Sequence, residues 1–292
     1  DGAIIRDRNG RIYTDPNKVH AIAHNGPYYR AHGYHSSEPS PQRTPVLYQA
    51  GSSGRGRQFA SRHAECVFIA ASDPATAKAA STKLRQDFVN AGRKPDDVKI
   101  FVGTAVVTGQ TQGQAWEKYE EYLRYASAQA GVAHFSSSTG IDFSRFGLDE
   151  PISYGQSNAM QSASQTASQQ GWTRRDLLNQ HKLGSRYPTL VGDAREVADQ
   201  LERWIDEGDI DGFNLSRIVV PETYEDFVDL VVPELQARGR YKTAYEPGTL
   251  RHKLFERAAT LSSSHFASQW RHAHQASGVQ SAPSVAAAIE EN

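Results

Sequence analysis

The chain has 292 residues, with 32 basic and 33 acidic side chains and a formal net charge of -1. That balance excludes a general nucleic-acid coat, which needs a basic excess to displace counterions. At 38% hydrophobic and 10% aromatic content it is not disordered throughout, and no apolar run approaches the ~18 residues of a membrane span. The one cysteine, Cys66, excludes an internal disulfide and a cysteine-cluster metal site, and fits a reducing, cytoplasmic compartment. No basic start followed by an apolar run marks a secretory signal. The chain starts at Asp1, within sequence that reads as ordinary structure, so a piece of a longer protein is expected.

Residues 1–45 read as an irregular excursion of short strands or a hairpin, punctuated by Pro16, Gly26, Pro27, Gly33, Pro39, Pro41 and Pro45. The apolar run over 46–50 predicts a buried strand, broken by Gly51-Ser52-Ser53-Gly54 and followed by a helix from Arg55 to Ala64. A second buried strand is expected from Cys66 to about residue 71. Asp73-Pro74 starts a helix that runs to about Asn90, with Asp at the cap and Pro at the first position. A third strand spans 98–107. Thr111 to Ser127 is an amphipathic helix with Trp116, Tyr119, Tyr122 and Leu123 at 3–4 spacing. Residues 128–190, rich in Ser, Gln, Gly and Thr, interrupt the rhythm, with short helices expected near 158–169 and 174–179. The rhythm resumes with a helix from Gly192-Asp193-Ala194 to Ile205, a fourth strand over 211–215 and a fourth helix from Glu222 to Arg238. The tail from 256, and above all from Ser277, turns to Ser, Ala and Gln and is expected to be partly disordered. Continuous apolar strands alternating with helices predict an α/β fold with a parallel sheet. Four β/α units suit a small doubly wound sheet or half of a (β/α)8 barrel, and the rhythm does not choose between them.

Two places stand out chemically. The segment Gly51-Ser52-Ser53-Gly54-Arg55-Gly56 joins a strand end to a helix start, where free N–H groups and the positive helix end face a bound anion. It is neither the dinucleotide fingerprint nor a P-loop. Two readings are open: a site for one phosphate, or a serine that caps its helix, and spacing alone favours the cap. His134 heads the polar insertion, where it either moves or donates a proton near the ligand crevice or is a partly buried structural residue. Asp142, Asp149 and Glu150 either orient it or solvate a loop, and the second is favoured. His20 and His24 have the spacing of two ligands on one helix face, but no helix is expected there and no Glu lies between them. Cys66, at the start of a buried strand, packs rather than reacts.

Several stretches together resemble a known family over residues 1–255. They include Ile12-Tyr13-Thr14-Asp15-Pro16, the run from Glu38 to Pro45, Gln49-Ala50-Gly51-Ser52-Ser53, the run from Arg62 to Phe68, Thr139-Gly140-Ile141-Asp142, Gly212-Phe213-Asn214-Leu215 and Val232-Pro233-Glu234-Leu235-Gln236. These resemble the carboxy-terminal part of the bacterial-luciferase-like, flavin-dependent monooxygenases. The subgroup is that of the nitrilotriacetate, dibenzothiophene-sulfone and long-chain alkane enzymes, with the last looking nearest. The resemblance implies a (β/α)8 TIM barrel of which this chain holds strands five to eight, with residues 1–45 as the excursion before strand five. It implies reduced FMN, supplied by a separate NAD(P)H:flavin reductase, O2 as co-substrate and a small-molecule substrate from among long-chain alkanes, organosulfur compounds or aminocarboxylates. Ser53 falls on the family's flavin-phosphate serine, with Gly51 and Ser52 beside it, and His134 falls on an active-site histidine. The missing first four units leave open sheet edges, so homo-oligomerisation is expected, and neither nucleic acid nor membrane is an expected partner. Two other readings are carried: a truncated, catalytically inactive half barrel serving as a flavin-binding or assembly module, and a flavin or deazaflavin binder without oxygenase activity.

Overall fold

A computed structural model describes residues 2–51, 53–152, 171–183 and 187–271. The expected helix near 158–169 and the tail from Ser277 lie outside these residues. The chain divides into two units, residues 1–45 with 257–292, and residues 46–256.

The first unit contains two antiparallel hairpins, β1 (Ile4–Asp7) with β2 (Ile12–Thr14), and β3 (Ile22–Asn25) with β4 (Arg30–Gly33). Arg6 and Tyr13 converge on the Glu38 carboxylate and hold it below the usual carboxylate range. Large side chains are left in solvent here, Tyr28 and Tyr29 most of all.

The second unit is built on a sheet in which every pairing is parallel. Its strands are β5 (Tyr48–Ala50), β6 (Cys66–Ile69), β7 (Lys99–Gly109), β8 (Thr189–Asp193) and β9 (Gly212–Ser216). The four strands expected from the apolar runs are adjacent and in sequence order. β8 is an addition that the sequence reading did not contain. β7 is the hub: Lys99–Val102 pair with β6, Phe101–Ala105 with β9, and Ala105–Gly109 with β8. It is long enough to outrun β6, and its last five residues recruit Thr189–Asp193. Among the described residues, β5 pairs only with β6 and β9 only with β7.

Helices follow each strand: α1 (Gly54–His63), α2 (Pro74–Asn90), α3 (Gln112–Tyr125), α4 (Ala128–Thr139), α5 (Arg174–Gln180) and α6 (Ala194–Gly208). The core lies between sheet and helices. Val67, Ile69, Ile100 and Val102 point into it and meet Ala77, Leu84 and Phe88 of α2 and Trp204 of α6. Burying each such side chain stabilises the fold by about 1.5–3 kcal/mol.

Two helical expectations change. The insertion opens with a twelve-residue helix, α4, where the polar composition suggested an interruption. Ser127 caps it by accepting the Ala130 N–H at 3.1 Å, and Gly140 ends it at φ 70, a left-handed angle that glycine adopts without strain. Val132 and Phe135 then join Phe143, Ile152 and Leu177 in a separate small core, with the Phe135 and Phe143 rings stacked at 5.3 Å. The expected single helix over 222–238 is interrupted. α7 (Glu222–Asp226) passes through a π-helical turn (Phe227–Val231) into α8 (Val232–Ala237). Pro233 has no N–H to donate, and the Val232 N–H reaches back five residues to the Phe227 carbonyl.

The amino ends of the strands are tied by a buried ionic network. Arg251, in α9 (Leu250–Phe255), donates two hydrogen bonds to Glu65 at 2.6 and 2.9 Å, and these side chains are 3% and 7% exposed. Glu65 also accepts the Leu47 N–H at 3.1 Å. Nearby, Arg93 donates to the Ser61, Ala64 and Asp97 carbonyls and lies over the Phe88 ring. Asp211 accepts from Arg85, Lys99 and the Ile100 N–H. At the opposite, carboxyl end of the strands the helices α1, α2 and α6 begin, capped by Ser53, Asp73 and Asp193.

Candidate functional site

At the carboxyl end of β5 the chain turns through Gly51 into α1. Ser53, in extended conformation, accepts the Gly56 N–H on its side-chain oxygen at 3.1 Å, and its carbonyl accepts the Arg57 N–H at 2.9 Å. Ser53 therefore caps the helix, as spacing alone suggested. A hydroxyl that accepts from Gly56 still has its own proton to donate. Among the described residues, the N–H groups of Gly54 and Arg55 find no acceptor, and these are the groups that a helix start offers to an anion. Glycine at 56 lets the chain pack closely here, since a Cβ would lie 3.0 Å from the Gly51 carbonyl oxygen and 3.1 Å from Ser53 Oγ. At Gly54 a Cβ would meet nothing within 4 Å, so the space before the helix is open to a ligand. Arg55 adds an exposed cation in the first turn. Ser52 lies outside the described residues.

The caps of the neighbouring helices show why α1 is the better place for an anion. Asp73 caps α2 through the Thr76 N–H at 2.8 Å, and that bond with the Ser72 hydroxyl holds its carboxyl below the usual range. Asp193 caps α6 by accepting the Arg195 and Glu196 N–H groups. Both helix starts already carry a carboxylate, which repels phosphate. Ser53 is neutral. Thr111 caps α3 and is neutral as well, but the approach there is tighter, since a Cβ on Gly109 would lie 3.0 Å from the Ala115 nitrogen.

The sheet face turned away from the helices is aromatic. Alternation along β7 puts Phe101 on it, opposite Ile100 and Val102. Tyr48, Phe68 and Phe101 form a row with ring centroids 5.6, 5.9 and 6.3 Å apart. Tyr48 is 45% exposed. Cys66 is buried on the same side of β6, and burial pushes its thiol up to about 12, so it packs and does not react. Lys99 on this face is neutralised by Asp211 at 3.1 Å.

His134 is exposed on α4, on the side away from Val132 and Phe135, and makes no hydrogen bond or ion pair among the described residues. The buried histidine of the insertion is His181, 4% exposed, whose ring lies 5.0 Å from that of Phe135. The nearby carboxylates are engaged elsewhere: Asp142 accepts the Ser144 N–H, Asp149 pairs with Arg175 at 2.6 Å, and Glu150 accepts the Gly147 N–H. His20 and His24 are exposed in the first unit, His24 on β3. An open groove of about 1670 Å³ lies where β7 and β9 end, beside Gly109, Trp116, Val219 and Glu222. Its Lys118 is held by Glu222 and Asp226, and the Tyr122 hydroxyl donates to Glu222 at 2.6 Å. These three charges are spent on one another.

Three comparisons bear on this geometry. The model of the luciferase-like monooxygenase family matches residues 17–209. The chain is 42% identical over 279 residues to the dimethyl-sulfide monooxygenase of Hyphomicrobium sulfonivorans, covering 94% of this chain and 58% of that one. It is 42% identical over 276 residues to the long-chain alkane monooxygenase of Geobacillus thermodenitrificans strain NG80-2, covering 93% and 58%. A crystal structure of riboflavin lyase with modified FMN and riboflavin superposes with a TM-score of 0.81 at 36% identity, over 92% of this chain and 60% of that one. The chain thus spans about three fifths of the length of these relatives.

Proposed function

The chain belongs to the luciferase-like monooxygenase family, and from that premise we propose that it is the phosphate-binding, carboxy-terminal part of an FMN-dependent monooxygenase acting on a small apolar molecule, an organic sulfide or an alkane. The observation that carries the reading is the start of α1. There a neutral serine cap, two free N–H groups and an open approach at Gly54 stand at the carboxyl end of a parallel strand, where ligands of α/β sheets bind. The four in-order strands β5, β6, β7 and β9 are strands five to eight of an eight-stranded barrel, and β8 is an edge addition from the insertion.

In this reading Ser53 donates its hydroxyl proton to a phosphate oxygen while holding the Gly56 N–H. Gly54 and Arg55 donate their backbone N–H groups, and Gly51 and Ser52 are the further contacts that the family resemblance implies. The reduced flavin, when bound, supplies the activation of O2, and a separate NAD(P)H:flavin reductase supplies the reduced flavin. The chain's own residues bind, orient and exclude water. Tyr48, Phe68 and Phe101 present an apolar wall, and the Lys99 cation beside them is paired with Asp211. An aminocarboxylate would need unpaired cations, so the wall favours a sulfide or alkane. His134, exposed and unengaged, is the candidate to hydrogen-bond the substrate or reacting oxygen.

The test is oxygen-dependent turnover of dimethyl sulfide and of a C16 alkane by the protein, with FMN kept reduced by an added flavin reductase. Product that appears with FMN and O2 and not without either supports the reading. Reduced flavin consumed with no oxygenated product from sulfide, alkane or nitrilotriacetate overturns it.

A further inference from the structure

We propose that α1 of one copy of this chain docks into the groove beside α3 of a second copy, a basic and aromatic stripe against an acidic and aromatic wall. The inference goes beyond the flavin reading and does not depend on it. It begins from the outer face of α1. Ala60 and Ser61 are buried against the unit, and Arg57 is turned to Asp87 at 2.9 Å. The stripe left outside is Arg55, Phe59 and Arg62, at i, i+4 and i+7, so the three lie along one side of the helix. Phe59 is 56% exposed, with the His63 ring 4.7 Å from its own. Arg55 and Arg62 are exposed and make no hydrogen bond or ion pair among the described residues. A large ring between two unpaired guanidinium groups has the composition of an interface anchor, and the spacing is that of a helix entering a groove.

The groove beside α3 has the opposite charge. Lys118, Glu222 and Asp226 answer one another, and of the four other charged residues on its wall three are carboxylates, Glu117, Glu120 and Glu121. All three are exposed and make no ion pair among the described residues. Glu117 and Glu121 stand four apart on α3, where like charges repel and weaken a helix. Trp116, 46% exposed, and Tyr125, 84% exposed, stand on the same wall. A ten-residue α-helix is roughly 15 Å long and 10 Å across, roughly 1200 Å³ as a cylinder. The groove offers about 1670 Å³, so the outer half of α1 fits.

Within one copy the two surfaces do not meet. α1 follows β5, the groove lies by the end of β9, and β5 and β9 stand at opposite edges of the sheet. The contact is therefore made between copies, edge to edge. Phe59 is placed to meet Trp116 and Tyr125, and the guanidinium groups to meet the three carboxylates. Each copy offers one stripe and one groove, so the interface is heterologous and either closes into a ring or grows as a chain.

Sedimentation velocity over a concentration series of the whole chain reads the contact. The unaltered protein should associate, and the association should weaken by about tenfold or more between about 50 and 500 mM salt. Arg62→Glu, and Glu117→Lys combined with Glu121→Lys, should each sediment as monomers where the unaltered protein associates. Mixed together, these two variants should associate again, because each carries the charge that the other's altered surface requires. Phe59→Ala should weaken association by about tenfold or more, the scale of a lost aromatic anchor. Lys242→Glu should leave it unchanged, since Lys242 lies over the Tyr245 ring of its own chain, away from both surfaces. An unaltered protein that stays monomeric at every concentration overturns the proposal. So does association that survives both charge reversals, or a mixture of the two variants that stays monomeric. If Arg62→Glu fails to fold, Arg62→Gln is read by the same criteria. The flavin reading is decided by turnover with reduced FMN and stands or falls separately.

Discussion

Three residues carry separable expectations. Ser53 caps α1 and in the proposed site also donates to phosphate, so Ser53→Ala tests both roles at once. FMN affinity in a fluorescence titration should fall by about 1–2 kcal/mol, roughly 5–30-fold, the scale of a lost hydrogen bond to a charged group. Ser53→Gly retains most of the cap strength and should lose the same affinity, which separates the two roles. His134 is exposed and bonded to nothing among the described residues, so His134→Asn should leave stability within about 0.5 kcal/mol. If it acts on the chemistry, product formation should drop by ~10²-fold at unchanged FMN affinity; turnover left intact would remove it from the mechanism. Cys66, raised to about 12 by burial, should resist iodoacetamide in the native protein and react once urea unfolds it. Rapid native alkylation would contradict the packing described here.

At the scale of elements, the helix starts differ in charge, and pH exposes the difference. Asp73 caps α2 through the Thr76 N–H and hydroxyl, so Asp73→Ala should cost about 0.5–2 kcal/mol in urea unfolding. Its carboxyl is held below the ordinary value of 3.8 by those bonds and the Ser72 hydroxyl. A depressed folded value means the stabilisation is fully present above the unfolded value and fades as pH falls through the lower, folded one. The wild-type and Asp73→Ala unfolding curves should therefore converge in acid, below about pH 4. Curves that stay equally separated to strong acid would show that the cap is not electrostatic. The start of α1, with a neutral serine, should show no such acid dependence of its own.

For the whole molecule, the two ends of the sheet have different duties. The amino ends are closed by the Arg251–Glu65 pair and the Arg93 and Asp211 contacts. Removing one partner of a buried pair strands a charge, so Arg251→Met should destabilise the protein by about 3–5 kcal/mol. The paired change with Glu65→Leu should recover much of that loss. Neither should alter the intrinsic FMN affinity of folded protein, because α1 starts at the other end of the strands. A selective loss of flavin binding at full stability would break this separation of duties. The same division leaves helix starts such as that of α1 open at the carboxyl ends.

Much of this was legible in the sequence because it is local. The apolar runs at 46–50, 66–70 and 98–107 and around Phe213 announce strands through continuous burial. Asp73-Pro74 announces a helix start through its own side-chain chemistry, and Gly51 to Gly56 marks a turn that few other residues could make. The family resemblance added the expectation of FMN and of a phosphate contact at Ser53, which spacing alone left as a cap. What tertiary structure decided depends on partners far along the chain. Thr189–Asp193 is too short to read as a strand until the overhanging end of β7 gives it hydrogen-bond partners. α4 carries Gly131 and the Ser136-Ser137-Ser138 run, which are poor helix formers, and its apolar face finds cover only in Phe143 and Leu177. Gly103 reads as a flaw in a strand until Tyr187, 84 residues later, takes the space its missing side chain leaves. A local signal is carried by neighbours in sequence, whereas a ring packed over a glycine, an added strand or a buried ion pair exists only once the chain has brought distant residues together.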